Sequence, residues 1–203
     1  MKASERYYEL TKRKYVFNIM PIENVPSVLE NGIVCFNKMQ QIKHTSIALD
    51  TVQERRSKVE IPNGKALHQY ANLYFSYRNP MLYKRKDQAE DLCILAISAS
   101  VLDLEGCIVS DRNAAAALVR FYPALEGMEY LDFENIHRKY WAVGDLNTQR
   151  TLRNIKCAEI LVPEFVIPEF IDGAYVVNER SKLALIGMGF LKDIVVNESV
   201  FFR

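Results

Sequence analysis

Three groups of side chains in this sequence have the types and spacing for chemistry on a flat, charged substrate. The first is Glu159, in Cys157-Ala-Glu-Ile-Leu-Val162. A carboxylate at the edge of an apolar strand costs free energy unless it is paired or used. It reads as a catalytic carboxylate, or as the solvent-facing member of an alternating strand. The second is Glu54-Arg55-Arg56, inside a long polar stretch. The arginine fork matches phosphate oxygens and could grip a diphosphate; such a run is also the usual face of a solvated helix. The third is Leu73-Tyr-Phe-Ser-Tyr-Arg-Asn-Pro-Met-Leu-Tyr83. Aromatic residues favour a strand here, and Pro80 breaks it, since proline lacks a ladder N–H and restricts the residue before it. The strand thus delivers Arg78 and Asn79 into a tight turn and leaves through Met81, Leu82 and Tyr83. Rings stack on nucleobases, and arginine reads a base edge or holds a phosphate; an ordinary strand end with an exposed arginine is the competing reading. Trp141, after Arg138-Lys139-Tyr140, is open to the same pair of interpretations, stacking or core.

The elements that must position these groups are legible as a mixed set. Residues 4–14 read as a polar helix and 15–20 as a strand. Residues 21–32 read as a helix with Asn24 placed to cap it, Pro26 in its first turn and Gly32 placed to end it. A short strand is expected at 33–36, and a functional loop over 37–65 holding one helix at 50–57. Strands follow at 72–77, 92–98 (continuously apolar, hence central) and 107–110. Helices are expected at 113–122, by alanine propensity, at 131–141 and within 144–156, then strands at 158–162, 173–177 and 190–196. The sum is an α+β class, read as a single domain over residues 1–203.

Composition narrows the function. A chain of 203 residues with 49% hydrophobic and 25% charged content supports one substantial core. A net charge of +1 argues against a broadly basic surface, so any nucleic-acid contact must come from a local patch. Cys35, Cys93, Cys107 and Cys157 lack a C-x-x-C spacing and sit in apolar settings, which suits reduced thiols in the cytoplasm. His44, His68 and His137 are scattered, and no metal site is expected. No apolar run approaches the ~20 residues of a membrane span. The sequence holds no G-x-G-x-x-G, Walker lysine or G-x-S-x-G motif, which disfavours Rossmann dehydrogenases, P-loop enzymes and α/β-hydrolases.

Taken in order, these segments resemble the DarT family of DNA ADP-ribosyltransferase toxins, which act with a macrodomain antitoxin, DarG. The likeness is carried by Ile22-Glu-Asn-Val-Pro-Ser-Val-Leu-Glu-Asn-Gly32, Ser46-Ile-Ala48 with Val52-Gln-Glu-Arg-Arg56, and Leu67-His-Gln-Tyr70. It continues through Arg78-Asn-Pro-Met-Leu-Tyr83, Ser110-Asp-Arg-Asn113 and Leu131-Asp-Phe-Glu134 to Tyr140-Trp141 and Ala158-Glu-Ile-Leu-Val162. The resemblance implies an ADP-ribosyltransferase-like split β-sheet clamp with peripheral helices, and NAD as co-substrate. It implies Glu159 and Arg56 as catalytic residues, and Asn18, Ile19, Met20, Ser27, Cys35 and Arg56 around NAD. It implies DNA contacts from Arg78, Asn79, Pro80, Met81, Leu82, Tyr83, Tyr140, Trp141, Arg153, Asn154 and Lys156. The expected activity is attachment of ADP-ribose to a base in single-stranded DNA, with a DarG-like antitoxin as partner and no membrane association. The same fold acting on RNA or protein, or serving as an inactive nucleic-acid-binding module, is the alternative. Asn18-Ile19-Met20 stands where thymine-modifying members have His-x-Thr. Met20 cannot replace a hydroxyl, and the departure points toward the guanine-modifying branch.

Overall fold

A computed structural model describes residues 1–42, 44–46 and 50–202. Ile47 and Ala48, part of one resembling segment, lie outside the described residues. The strands are β1 (Tyr15–Pro21), β2 (Ile33–Val34), β3 (Tyr70–Tyr74), β4 (Leu92–Ser98), β5 (Ile108–Ser110), β6 (Phe121–Pro123), β7 (Glu159–Pro163), β8 (Phe165–Val166), β9 (Ile171–Val176) and β10 (Asp193–Val196). The α-helices are α1 (Ala3–Thr11), α2 (Val25–Asn31), α3 (Phe36–Met39), α4 (Asp50–Arg56), α5 (Pro80–Lys84), α6 (Ala124–Gly127), α7 (Phe133–His137), α8 (Leu146–Ile155) and α9 (Glu179–Gly187).

Eight strands form one sheet in the order β10-β9-β4-β1-β3-β7-β5-β6, and β2 pairs with β8 beside it. All pairings are antiparallel except β9 with β10, which α9 connects. The apolar run at β4 is central, as expected, and every residue from Leu92 to Ile97 is buried. The sheet has a seam. β1 is zipped to β4 along its whole length, and β3 to β7 along its own. Yet β1 and β3 meet at one registered pair, Phe17 opposite Tyr74. From there the two halves splay apart, bridged by the Asn18 side-chain amide donating to the Asn72 carbonyl at 3.1 Å. The main core fills one face, from Tyr7 through Phe75, Leu95 and Ile160 to Phe190. A second core around Phe17, Ile19, Leu82 and Phe201 lies on the other.

Several elements depart from expectation. Residues 113–122 form turns and the short β6, not a helix, because the Ala114 N–H is taken by the distant Glu159 carboxylate and the Asn113 side chain by the Ala115 N–H, which together override alanine propensity. The helix at 21–32 starts at Val25, and Asn24 sits at its N-cap position without capping it. Its side chain instead exchanges hydrogen bonds with Thr45, donating to the carbonyl at 2.7 Å and accepting from the N–H at 2.8 Å. The strand expected at 72–77 ends at Tyr74, and α5 replaces the open turn after Pro80. Helix α9 was not anticipated.

Candidate active site

Glu159 is the first residue of β7, opposite Tyr74, so it stands at the seam. Its side chain is 0% exposed. Arg56, at the last turn of α4, donates from Nη1 to both carboxylate oxygens at 3.0 Å. The Ala114 N–H donates to Oε1 at 2.9 Å. The backbone beneath is fixed too: the Glu159 N–H donates to Ser110 Oγ at 3.2 Å, and that hydroxyl donates to the Arg112 carbonyl at 2.7 Å. A buried charge persists only when paired and hydrogen-bonded, and here the partners come from three separate segments. The solvated-strand reading of Glu159 fails on this burial. Tyr74, across the ladder, has its phenol pushed up by burial first and by Glu159 second. The Cys157 thiol is pushed up to about 12 by burial and then by Glu159, so it is neutral and no nucleophile.

Arg56 opens onto a cavity of about 490 Å³, on the scale of small-molecule and cofactor sites, while the fully buried Glu159 is not among the lining residues. Asn18, Ile19 and Met20 of β1 form one wall, and Asn72 and Tyr74 of β3 another. Ser27 of α2, Pro80 and Met81 of α5, and Arg153, Asn154 and Cys157 around the end of α8 complete it. Arg55, Arg56, Lys84, Arg85 and Arg153 line the cavity, and among the described residues no carboxylate is in the lining. Such a cleft attracts anions strongly. The α4 wall is braced by Gln53, whose Oε1 lies 3.1 Å from His68 Nε2; the imidazole packs on Phe36 with centroids 4.1 Å apart. Burial and then Arg56 push the His68 pKa down.

The structure brings Asn18, Ile19, Met20, Ser27, Arg56, Pro80, Met81, Arg153 and Asn154 to this one cavity. Other expected site residues lie elsewhere. Cys35 is buried and outside the lining; it precedes α3, and its N–H donates to the Glu164 carbonyl at 2.7 Å. Asn79 is fully buried. It caps α5, accepting from the Met81 and Leu82 N–H groups at 3.0 Å and donating to the Ser76 carbonyl at 3.0 Å. It is therefore a structural cap and not a base reader. Leu82 belongs to the second core. Lys156 is buried, with Nζ donating to the Ile136 and Arg138 carbonyls, so it fastens α7 to α8 instead of facing a ligand. Burial pushes its pKa down to about 8. Arg78 turns from the cavity, donating through Nη1 to the Ser199 and Phe201 carbonyls at 3.0 and 2.8 Å.

Tyr83 and Trp141 do converge, with ring centroids 5.9 Å apart and edge-on. Phe202 closes the triangle at 5.3 and 5.5 Å. Tyr140 is exposed beside them. Sequence reasoning passed over Phe202, Asn72 and the Ser110 and Ala114 supports. A hydroxyl ending an apolar strand, as in Ile108-Val-Ser110, was the available signal for Ser110; nothing local marked Phe202.

A family model described as "ssDNA thymidine ADP-ribosyltransferase, DarT" matches residues 17–202. The chain belongs to the DarT family. A DNA ADP-ribosyl transferase of Thermus sp. (strain 2.9) is 32% identical over 158 residues, covering 72% of this chain and 73% of that protein. A "DNA ADP-ribosyl transferase-DNA ADP-ribosyl glycohydrolase fusion protein" of Thermosipho africanus (strain H17ap60334) is 29% identical over 79% of this chain. The match spans 42% of the fusion protein's length. Among solved structures, Thermus sp. 2.9 DarT in complex with ADP-ribosylated ssDNA superposes with a TM-score of 0.82 at 26% identity, covering 94% of this chain and 97% of that one. Thermus sp. 2.9 DarT in complex with NAD+ gives 0.77 at 25% identity, covering 93% and 98%. The α+β class and the ADP-ribosyltransferase fold of the DarT family thus hold for this chain.

Proposed function

We propose that this chain, acting as one domain, transfers ADP-ribose from NAD to a base of single-stranded DNA and releases nicotinamide. The observation that carries the reading is the Arg56–Glu159 pair buried at the sheet seam, with Arg56 opening onto a cleft lined by arginines and lysine. NAD supplies both the ADP-ribosyl group and its leaving group, with positive charge developing on the ribose as the bond to nicotinamide breaks. Glu159 stabilises that charge in a water-poor setting, where fixed electrostatics act most strongly. Arg56 pairs with Glu159 and faces the phosphates. Asn18, pinned through Asn72, and Ser27 offer hydrogen bonds to ribose hydroxyls. Pro80, Met81, Tyr83, Tyr140, Trp141, Arg153 and Asn154 present the strand. A base inside a duplex is out of reach of such a cleft, so single strands are the substrate. The relatives' names and their complexes with NAD+ and ADP-ribosylated ssDNA support this reading.

For the acceptor base, Met20 in the cleft wall favours guanine, while the family description names thymidine. Mass spectrometry of single strands carrying only guanine or only thymine as candidate acceptors, incubated with NAD, tests both levels. A mass gain of one ADP-ribose on the guanine strand supports the full reading. Gain on the thymine strand alone corrects the base. No gain on any mixed-sequence strand removes the function. We further propose pairing with a macrodomain glycohydrolase that removes the modification, as in a toxin–antitoxin system; the fused glycohydrolase of the Thermosipho relative supports it. Restoration of the unmodified strand mass by such a protein is the check.

A further inference from the structure

A second cavity, of about 220 Å³, lies on the other side of the Arg78–Pro80 turn. A water claims about 30 Å³, so there is room for a solvated ionic group. Arg13, Arg78, His137, Arg138 and Lys139 line it, with no carboxylate in the lining among the described residues. In a chain of net charge +1, this is a second strong local concentration of positive charge. Two buried side-chain nitrogens among the described residues have no hydrogen-bond partner, Arg78 Nε and His137 Nε2. Both side chains line this same cavity. Buried polar atoms are almost always satisfied, so the coincidence marks a place built for an acceptor. Arg78 is also held rigid, with its guanidinium 4.1 Å above the Phe202 ring. The turn joins this cavity to the cleft: Ser76, Tyr77 and Arg78 line one, Pro80 and Met81 the other. Tyr140 and Trp141 follow directly on Arg138 and Lys139.

We infer that this cavity is a phosphate subsite, holding a backbone phosphodiester of the single strand whose base enters the cleft. The inference rests on the single-strand reading above and gives Arg78 the DNA role that its turn away from the cleft denied it. His137, its pKa pushed down to about 3 by burial and then by Arg13 and Lys156, is neutral when the subsite is empty. It presents a nitrogen without adding to the cationic crowd.

The test is fluorescence anisotropy of a labelled single strand titrated with the intact protein in the absence of NAD. Strand binding can then fail while transfer succeeds, or the reverse, so the two readings are judged separately. Arg13 and Lys139 are exposed, so the double variant Arg13→Gln/Lys139→Gln folds. It is expected to bind about five- to tenfold more weakly at low salt. The slope of log affinity against log salt is expected to flatten by about 0.7 for each phosphate charge that is no longer neutralised. The weakening is uniform across base sequences, since phosphates carry no base identity. Wild-type affinity and slope in the double variant would overturn the inference. A neutral methylphosphonate scanned along the strand should weaken wild-type binding at one linkage and leave the double variant unaffected there; a flat scan in the wild type counts against it. Inorganic phosphate that perturbs the His137 ring resonances, with strand affinity unchanged in the variant, identifies a free-anion site and also overturns the proposal.

Discussion

The fully buried Glu159 carboxylate is held by Arg56 and by the Ala114 N–H. Removing one member of a buried pair strands the other, which costs about 3–5 kcal/mol. Arg56→Ala is therefore expected to destabilise the protein by that amount, measured by urea unfolding with an unchanged m-value. Arg56→Lys keeps the charge and should cost less. Glu159→Gln is expected to abolish transfer while the amide oxygen still accepts from Ala114. A variant with full activity would remove Glu159 from the chemistry. Asn79 behaves differently. Its three hydrogen bonds are internal, so Asn79→Ala is expected to cost about 1–2 kcal/mol as a lost cap. At ~2–4 °C per kcal/mol for a chain of this size, differential scanning calorimetry resolves the loss. The base preference should not change; a switch of target base in this variant would show that Asn79 contacts the DNA.

At the scale of elements, α2 depends on one residue for its exit. Gly32 has φ +76°, and a Cβ there would lie 2.2 Å from the Val166 carbonyl oxygen. That carbonyl belongs to β8, which pairs with β2 directly after the glycine. Gly32→Ala must strain the left-handed backbone and push the two-stranded sheet apart, so a loss well above ~1 kcal/mol is expected. An unchanged chemical-denaturation midpoint would refute the close approach. Gly32 was legible because helix ends favour glycine, and β4 because an unbroken apolar run admits few other fates. The Arg56–Glu159 pairing was legible only through family resemblance. Neither Arg56 nor Glu159 carries a local mark of the other, since 103 residues separate them. The errors share a cause. Asn24, Asn79 and Asn113 are residues whose side chains compete for backbone groups. Their partners lie at Thr45, in the first turn of α5 and at Ala115. Lys156 misled for a related reason: a lysine in a basic stretch reads as exposed until the two carbonyls that hold it are known.

Across the whole molecule, a near-neutral total hides two cationic cavities, balanced by acidic residues elsewhere. The groups whose pKa values the fold shifts set how stability depends on pH. His137 has its pKa pushed down to about 3, and His68 is pushed down as well. The unfolded chain takes up these protons below about 6.5 while the folded chain refuses them, so stability falls as pH drops through that window. Glu129 and Glu164, depressed by Arg6 and by Lys38 with Lys65, contribute stability above 4.5 and lose it only below. The interval from 6.5 to 4.5 thus belongs to the imidazoles. On the alkaline side, Cys93, Cys107 and Cys157 are pushed up to about 12 by burial, and Tyr7 and Tyr74 are raised too. The unfolded chain ionises these groups from about pH 9, so stability falls as pH rises. Lys156, lowered to about 8, acts in the opposite sense between 8 and 10.5, but it is one group against six, since Tyr175 is raised by burial as well. Thermal midpoints are therefore expected to be highest between about pH 6.5 and 9 and to decline on both sides. His137→Phe preserves the stack on Phe133, whose ring lies 6.1 Å away and nearly parallel, and should flatten the decline between pH 6.5 and 4.5. Midpoints that stay level over that interval in the unmodified protein would show that His137 protonates freely in the folded state.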